Sequence, residues 1–440
     1  MTGLIMAGQL ILSLAILVTF HELGHYLAAR AFGIRVEKFY LFFDAWGKKL
    51  FSIKKGDTEY GIGWLPIGGY VKIAGMIDES VDKEQMKQPP QPWEFRSKPA
   101  WQRFIVMIGG IVVNLILGFL FLVMVMKVYE KDYVTIDTVN QEGILAGEIG
   151  EKLGFKDGDK LITLNGNTYE RYDDYMGMEA IFGGDMVVER DGELKTITIP
   201  DTIFRILKSN RGALIGTHES IFISELSDEV PNAKNAGLMV NDRLVSINDT
   251  AIRNFAELSD KLAKNKGKEI SVGYVRNGEI KQTKAQVDTA GKLGFGPELK
   301  IYESARTKYS LGSAIKYSLK ESWDNIYFNA VGLKRIATGK IPANQVKSVI
   351  GMAKFFGGTW DWHRFWSMTA MISLALALMN ALPIPALDGG HMLFLTWEMI
   401  TGKPASEKVL LVAQYIGMAL LLTLMALTMG NDIWNLIKGN

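Results

Sequence analysis

The chain has 440 residues, a length that suggests two to three domains. Its 49 Lys and Arg residues almost balance 47 Asp and Glu residues, and the resulting net charge of +2 argues against a nucleic-acid partner. Hydrophobic residues make up 48% of the chain, which excludes wholesale disorder, and the absence of cysteine excludes disulfides and thiolate metal sites.

Four apolar runs are each close to the length of about 20 residues that spans a bilayer. They are Leu4–Phe20, Phe104–Met126, Phe365–Leu382 and Val409–Met429. The first run could instead be a signal peptide, but residues 1–5 lack Lys and Arg and no Ala-x-Ala site follows the run. The sequence therefore predicts a polytopic α-helical membrane protein with four transmembrane helices.

The first predicted helix, residues 1–32, carries the motif His-Glu-x-x-His at residues 21–25. Residues i and i+4 share one face of a helix, so the imidazoles of His21 and His25 can reach the same zinc ion. Glu22 lies about 100° around the helix from His21, where it can take a proton from water at the metal. Because charged groups inside an apolar span are costly, a functional site is the favoured interpretation.

The predicted loop at 33–103 sets the orientation of the chain in the membrane. Residues 29–103 contain thirteen Lys and Arg, several of them close to the spans, and short basic loops stay in the cytoplasm. The second helix, predicted at 104–126, then leads outside, so the long segment that follows and both chain termini are expected on the outer side. The short loop 383–408 returns to the cytoplasm.

The outer segment contains an internal repeat with an offset of 83 residues. Residues 154–165 read Gly-Phe-Lys-Asp-Gly-Asp-Lys-Leu-Ile-Thr-Leu-Asn, and residues 237–248 read Gly-Leu-Met-Val-Asn-Asp-Arg-Leu-Val-Ser-Ile-Asn. Each copy predicts a turn, an alternating strand and a second turn. The pattern resembles tandem PDZ domains, expected at 127–219 and 220–300, which bind extended peptides at a sheet edge. An unrelated pair of β-rich domains is the alternative.

A helical pattern follows from about Leu311 to Thr338 within the predicted segment 301–364, where apolar residues recur at three- and four-residue steps. We expect an amphipathic helix here, packed either on a neighbouring helix or on the outer membrane face. The third transmembrane helix and the motif after it are predicted at 365–391, and the fourth helix with the tail at 392–440.

A zinc site with two histidines needs a third protein ligand at the same membrane depth. The first and third spans run in the same direction, so the cytoplasmic end of the third span is level with His25. Asp388 lies there, after Pro383 and Pro385, which stop the helix, and before two glycines that allow an unusual backbone path. The alternatives are a turn role for Asp388 and a ligand role for Glu398 or His391, which are further along the chain.

These motifs together resemble the site-2 proteases, which are intramembrane zinc metalloproteases, of the bacterial regulator-of-sigma-E protease type. The resemblance covers almost the whole chain. Its motifs are the His-Glu-x-x-His at 21–25, Gly68–Lys72 with Gly75-Met76, Lys98-Pro99 with Arg103, the tandem PDZ pattern, and Asn-x-x-Pro-x-Pro-x-x-Asp-Gly-Gly-His at 380–391. Two departures, Phe42-Phe43-Asp44 and Gly109–Asn114, concern loop and helix geometry and leave the expected ligands intact.

The resemblance implies that His21, His25 and Asp388 bind one Zn²⁺ and that Glu22 is the general base. It implies substrate binding by Asn380 and the proline stretch with Pro383 and Pro385. It also implies that the glycine-rich loop, with Gly61, Ile62 and Gly63, forms a membrane-reentrant β-hairpin whose strand edge pairs with unwound substrate. Ordinary turn glycines are the alternative for this loop.

The resemblance further implies a bacterial inner-membrane location, with PDZ domains and both termini periplasmic and the active site towards the cytoplasm. The implied partners are the lipid bilayer and a single-span protein already cut on the periplasmic side, such as an anti-sigma factor or a remnant signal peptide. Peptide carboxyl termini are implied partners of the PDZ domains. A non-catalytic adaptor and a metal transporter are the alternatives, and intact Glu22 argues against the adaptor because an adaptor needs no general base.

Overall fold

The computed structural model describes residues 2–66, 68–76, 89–129, 133–203, 214–300, 308–340 and 349–437. The chain forms two compact units, one made of Met1–Lys131 with Tyr309–Asn440 and the other of Asp132–Lys308. Parts of the predicted segments at 33–103, 127–219, 301–364 and 392–440 lie outside the described residues. The first unit carries the predicted metal ligands, and the second carries the sequence repeat.

The first unit consists of helices and one small sheet. Its helices are α1 (Thr2–Ala31), α2 (Ala100–Val128), α9 (Leu311–Ala337), α10 (Val349–Ala353), α11 (Trp362–Ala381), α12 (Asp388–Thr401) and α13 (Glu407–Ile437). Its strands are β1 (Val36–Leu41), β2 (Lys49–Lys55), β3 (Thr58–Gly63) and β4 (Tyr70–Ile73). Helices α1, α11, α12 and α9 all pack against α2, which is therefore the central helix of the unit.

The ends of these helices follow from local chemistry. Helix α1 stops because Gly33 adopts a φ of +66°, and the amide of Ile34 donates to the carbonyl of Ala29 at 2.9 Å. Helix α2 starts directly after Pro99, a residue that tolerates the position because it has no amide hydrogen to satisfy. Helix α11 ends at Ala381 because Pro383 forces Leu382 into an extended conformation.

Three helices among the described residues are long and apolar enough to cross a membrane: Thr2–Ala31, Ala100–Val128 and the Lys408–Gly430 part of α13. They correspond to the first, second and fourth predicted spans. The third predicted span forms the 20-residue helix α11, which is not among the three. Polar residues at both ends of α11, His363 with Arg364 and Asn380, shorten its apolar stretch.

The structure corrects the expected backbone path at 383–408. This stretch is not a plain loop, because α12 begins at Asp388 itself. Gly389 and Gly390 have ordinary helical backbones with no positive φ. Their role is close packing, since a Cβ at Gly389 would lie 2.2 Å from the Leu382 carbonyl oxygen and one at Gly390 would lie 2.5 Å from that of Ile384. The first turn of α12 therefore packs directly against the turn that contains Pro383 and Pro385.

The small sheet of the first unit has the strand order β2–β3–β1–β4. Strands β1 and β3 pair in parallel, and the other two pairings are antiparallel. Gly61 of the interior strand β3 pairs with Tyr40 on one side and Ser52 on the other, while Ile62 pairs with Leu41 and Phe51. The expectation of a free strand edge at Gly61–Gly63 is therefore wrong, because β2 and β4 are the edge strands.

The second unit is built around two separate apolar cores. Its first part contains α3 (Ile136–Glu142), β5 (Leu145–Ala146), α4 (Glu148–Leu153), β6 (Lys160–Leu164), α5 (Tyr172–Tyr175), α6 (Met178–Ile181), β7 (Gly184–Arg190), β8 (Glu193–Ile199) and β9 (Ile215–Gly216). Its second part contains β10 (Ser220–Leu226), α7 (Asn232–Asn235), β11 (Arg243–Ile247), β12 (Thr250–Ala251), α8 (Phe255–Lys264), β13 (Glu269–Arg276), β14 (Glu279–Gln286) and β15 (Phe295–Lys300). One core extends from Val139 to Ile215 and the other from Ile221 to Leu293.

Both parts of the second unit use the same buried ion pair. In the first copy of the repeat, Asp159 receives hydrogen bonds from Arg190 Nε at 2.6 Å and Nη2 at 2.7 Å. In the second copy, Asp242 receives the equivalent bonds from Arg276 at 2.7 and 2.6 Å. The sequence repeat is therefore also a repeat of structure, in which a bidentate pair neutralises a fully buried carboxylate.

Candidate metal centre

Three side chains of the first unit, two from α1 and one from the start of α12, meet at one point. Nε2 of His21 lies 3.2 Å from Oδ2 of Asp388, and Nε2 of His25 lies 3.3 Å from the same oxygen. The two Nε2 atoms are 3.2 Å apart. The three candidate ligand atoms thus form a nearly equilateral triangle.

The size of this triangle fits a zinc ion. Zinc bonds of about 2.0–2.1 Å in a tetrahedral site put neighbouring ligand atoms about 3.3–3.4 Å apart. Oδ2 of Asp388 is also buried without a hydrogen-bond partner among the described residues. Because buried carboxylate oxygens rarely stay unpaired, this atom fits the role of a metal ligand. Two imidazole nitrogens with one carboxylate oxygen are a ligand set typical of catalytic zinc, which leaves one position open.

The outer nitrogens of both imidazoles are held by helix α2. Nδ1 of His25 lies 2.8 Å from the carbonyl oxygen of Val106, so it carries the proton and leaves Nε2 free for a metal. Nδ1 of His21 lies 3.2 Å from the side-chain amide of Asn114, whose Oδ1 has no partner in the described structure. A half-turn of this amide lets Oδ1 accept the His21 Nδ1 proton, which satisfies both atoms.

The sequence analysis assigns no role of its own to Asn114, which is the only polar residue in the apolar run Phe104–Met126. The signal that could have identified it is the same as for the histidines, a lone polar residue in an apolar helix. Its backbone carbonyl accepts a hydrogen bond of 2.7 Å from Ser373, which ties α2 to α11 beside the site. We therefore assign Asn114 a positioning role for His21.

Close helix packing brings α2 this near to the histidines. A Cβ at Gly24 would lie 2.4 Å from the carbonyl oxygen of Gly109, so the two backbones touch there. A Cβ at Gly110 would lie 2.5 Å from His25 Nε2 and 2.6 Å from His21 Cε1. The lack of a side chain at Gly110 thus makes room for both imidazole rings, and Gly109 allows the close approach of α1.

The candidate ligands line a cavity of about 400 Å³. Glu22 and Asn380 also line it, and the amide of Asn380 lies 3.3 Å from His21 Nε2. Glu22 is thus on the cavity side of α1, where a general base is needed. Gly68, Gly69 and the edge strand β4, which packs against α1, form another part of the cavity wall.

The remaining predicted substrate-binding residues do not line this cavity. Pro383 and Pro385 shape the turn between α11 and α12, and Gly61–Gly63 lie in the interior strand β3. Their roles in substrate binding stay predictions. Of the alternative ligands, Glu398 forms an ion pair with Arg103, and His391 lines the cavity one helical turn after Asp388 without joining the triangle.

Comparison with known proteins places the whole chain in one family. The family model described as peptidase family M50 matches residues 9–424. The regulator of sigma E protease of Haemophilus influenzae is 29% identical, with 98% of each chain covered. The regulator of sigma-E protease RseP of Escherichia coli is 29% identical over 97% of each chain, and metalloprotease MmpA of Caulobacter vibrioides is 26% identical over 98% of this chain and 96% of the relative. The chain therefore belongs to peptidase family M50 and is, as the sequence predicted, a zinc metalloprotease of the site-2 type.

Proposed function

We propose that this protein hydrolyses a peptide bond within the transmembrane segment of single-span proteins. The observation that carries the proposal is the triangle of His21, His25 and Asp388 beside Glu22, whose two histidines lie on a helix that is apolar enough to span a bilayer. A hydrolytic site within the bilayer acts on peptide bonds that lie at the same membrane depth. The four-span arrangement, with both termini periplasmic and the site towards the cytoplasm, belongs to this proposal.

Each residue of the cavity has a separate task in hydrolysis. His21, His25 and Asp388 would hold zinc, which supplies Lewis acidity for water and for the scissile carbonyl. Glu22 takes the proton from the attacking water and passes it to the leaving amine. Asn380, next to His21 Nε2, donates its amide hydrogens to the substrate close to the reacting bond.

Substrate must unwind before it reaches this cavity. A transmembrane helix satisfies its amides internally, and each unsatisfied peptide group in hydrocarbon costs several kcal/mol. Strand β4 is the edge of the small sheet that faces the cavity, and its only strand partner in the described structure is β1. We propose that β4, rather than β3, pairs with the unwound segment as an added strand.

The names of the relatives suggest the physiological role. Two are named regulator of sigma-E protease, so an inner-membrane anti-sigma factor, already cut on the periplasmic side, is the proposed substrate class, together with remnant signal peptides. The two β-rich domains of the second unit are proposed to be PDZ domains that exclude bulky substrates or read new carboxyl termini. No nucleic-acid partner is proposed.

The proposal is tested by Glu22→Gln in purified protein with a model single-span substrate. The change keeps the size of the side chain but removes the base, so zinc content should equal that of the wild type and kcat should fall by at least about 10²–10⁴-fold. Glu148→Gln, at an exposed position of the second unit, is the matched control and should cleave normally. Normal cleavage by Glu22→Gln would refute the assignment of the base.

A further inference from the structure

Helix α13 contacts the rest of the protein through a narrow strip. Between residues 408 and 430, where its side chains are described, only Gln414 and Gly417 are buried. Both lie on the same face, because residues three apart are neighbours on a helix surface. Gln414 is 9% exposed and lines the catalytic cavity. Among the described side chains of α13, the one buried polar group thus lines the same cavity as the candidate metal ligands.

Gly417 fixes the position of this face. A Cβ at Gly417 would lie 1.5 Å from the carbonyl oxygen of Pro385, so the backbone of α13 touches the turn that leads into Asp388. Gln414 is one helical turn before this contact. The position of Gln414 beside the site is therefore set by the backbone contact of α13 and does not depend on an extended side-chain conformation.

The carboxamide of Gln414 has no hydrogen bond to any described residue. Its oxygen and nitrogen are not among the fully buried unpaired polar atoms, so they are open to the cavity, and a polar residue in a spanning helix is costly and usually functional. The packing of α13 alone does not require an amide here, because Met or Leu would fill similar space. The unpaired amide in the cavity indicates a ligand that both accepts and donates hydrogen bonds.

We propose that Gln414 binds the backbone of the unwound substrate segment. A carboxamide has one acceptor and two donor hydrogens, which matches the carbonyl and N–H of a peptide group freed from its helix. The substrate is then held by strand β4 on one wall and by Gln414 of α13 on another. This inference rests on the proposed intramembrane protease function and adds a substrate-binding residue to it.

The first test compares Gln414→Met with Tyr415→Phe in the full-length protein. Methionine keeps the length of glutamine but removes its hydrogen bonds, so kcat/KM for the model substrate should fall about five- to thirtyfold, with zinc content unchanged. Tyr415 is 54% exposed on the same helix, and its variant should match the wild type. Wild-type kcat/KM in Gln414→Met would overturn the proposal.

The second test separates a contact with substrate from a structural role. Single amide-to-ester replacements along the substrate near the cleavage site each remove one N–H and weaken one carbonyl acceptor. At the position that Gln414 contacts, the ester should lower kcat/KM of the wild type but should not lower that of Gln414→Met. The ratio of the two kcat/KM values should therefore approach one for that substrate. If the ratio of wild-type to Gln414→Met kcat/KM were the same at every ester position, Gln414 would have a purely structural role and would not contact the substrate. Failure of the wild type to cleave any of these substrates would instead refute the protease function, an outcome distinct from both.

Discussion

Gly110→Ala adds a single methyl group at the point where α2 meets the two histidines. The new Cβ would lie 2.5 Å from His25 Nε2 and 2.6 Å from His21 Cε1. A relaxed contact between such atoms needs about 3.5 Å, so one or both rings must move by roughly 0.9–1.0 Å. Neither ring moves freely, because the Val106 carbonyl and Asn114 hold their outer nitrogens.

A shift of this size is large for a zinc site. Metal–ligand distances tolerate about 0.2 Å, and disturbing the residues that orient metal-bound histidines costs about 10–100-fold in affinity or activity. We therefore expect Gly110→Ala to bind zinc about 10–100-fold more weakly than the wild type. The protein should still fold, because alanine is favoured over glycine inside a helix by about 1 kcal/mol.

The assay is competition for zinc between the purified protein and a chelator of known affinity, with substrate cleavage measured in parallel. Gly118→Ala is the matched control, because its Cβ would contact Leu374 of α11, 2.6 Å away, and no ligand. It should alter helix packing while leaving zinc affinity unchanged. Equal zinc affinity in Gly110→Ala and the wild type would refute the close packing of α2 on the histidines.

Asp388→Asn should lower both zinc content and cleavage, because a neutral amide replaces the anionic ligand. Full zinc occupancy of this variant in elemental analysis would show that another residue is the third ligand. Arg276→Met removes the ion-pair partner of the Asp242 carboxylate, which is 1% exposed, so the second unit should unfold at a lower denaturant concentration than in the wild type. An unchanged unfolding midpoint would show that the pair is dispensable. Ile62→Pro should disrupt the sheet and increase proteolytic sensitivity, since this strand is interior, while Ile62→Val should be mild in the same assay.

The parts of the site that follow from local spacing could be predicted from the sequence. His21 and His25 share a helix face at any tertiary arrangement, and both lie in α1 as expected. The ends of α1 and α11 likewise depend on Gly33 and Pro383, whose effects act within a few residues. The structure brings Asp388 to both histidines, and its assignment as the third ligand stays a prediction.

The parts that depend on non-local contacts could not be predicted. The parallel pairing of β1 with β3 places Gly61–Gly63 inside the sheet, and nothing in the local pattern of β3 encodes that order. The glycines after Asp388 suggested an unusual backbone, whereas they serve a close contact between two segments. Gln414 was overlooked because a single polar residue in an apolar run gains meaning only when its facing neighbours are known.

The ligands of the metal centre come from opposite ends of the chain, at positions 21–25 and 388, with the entire second unit between them. A ribosome adding about 5–20 residues per second needs roughly 20–70 s to travel from the first ligands to the last. Throughout that time the nascent protein contains Glu22 without a complete set of candidate zinc ligands. We therefore expect newly made chains to lack proteolytic activity until the second unit has been synthesised and α12 supplies Asp388.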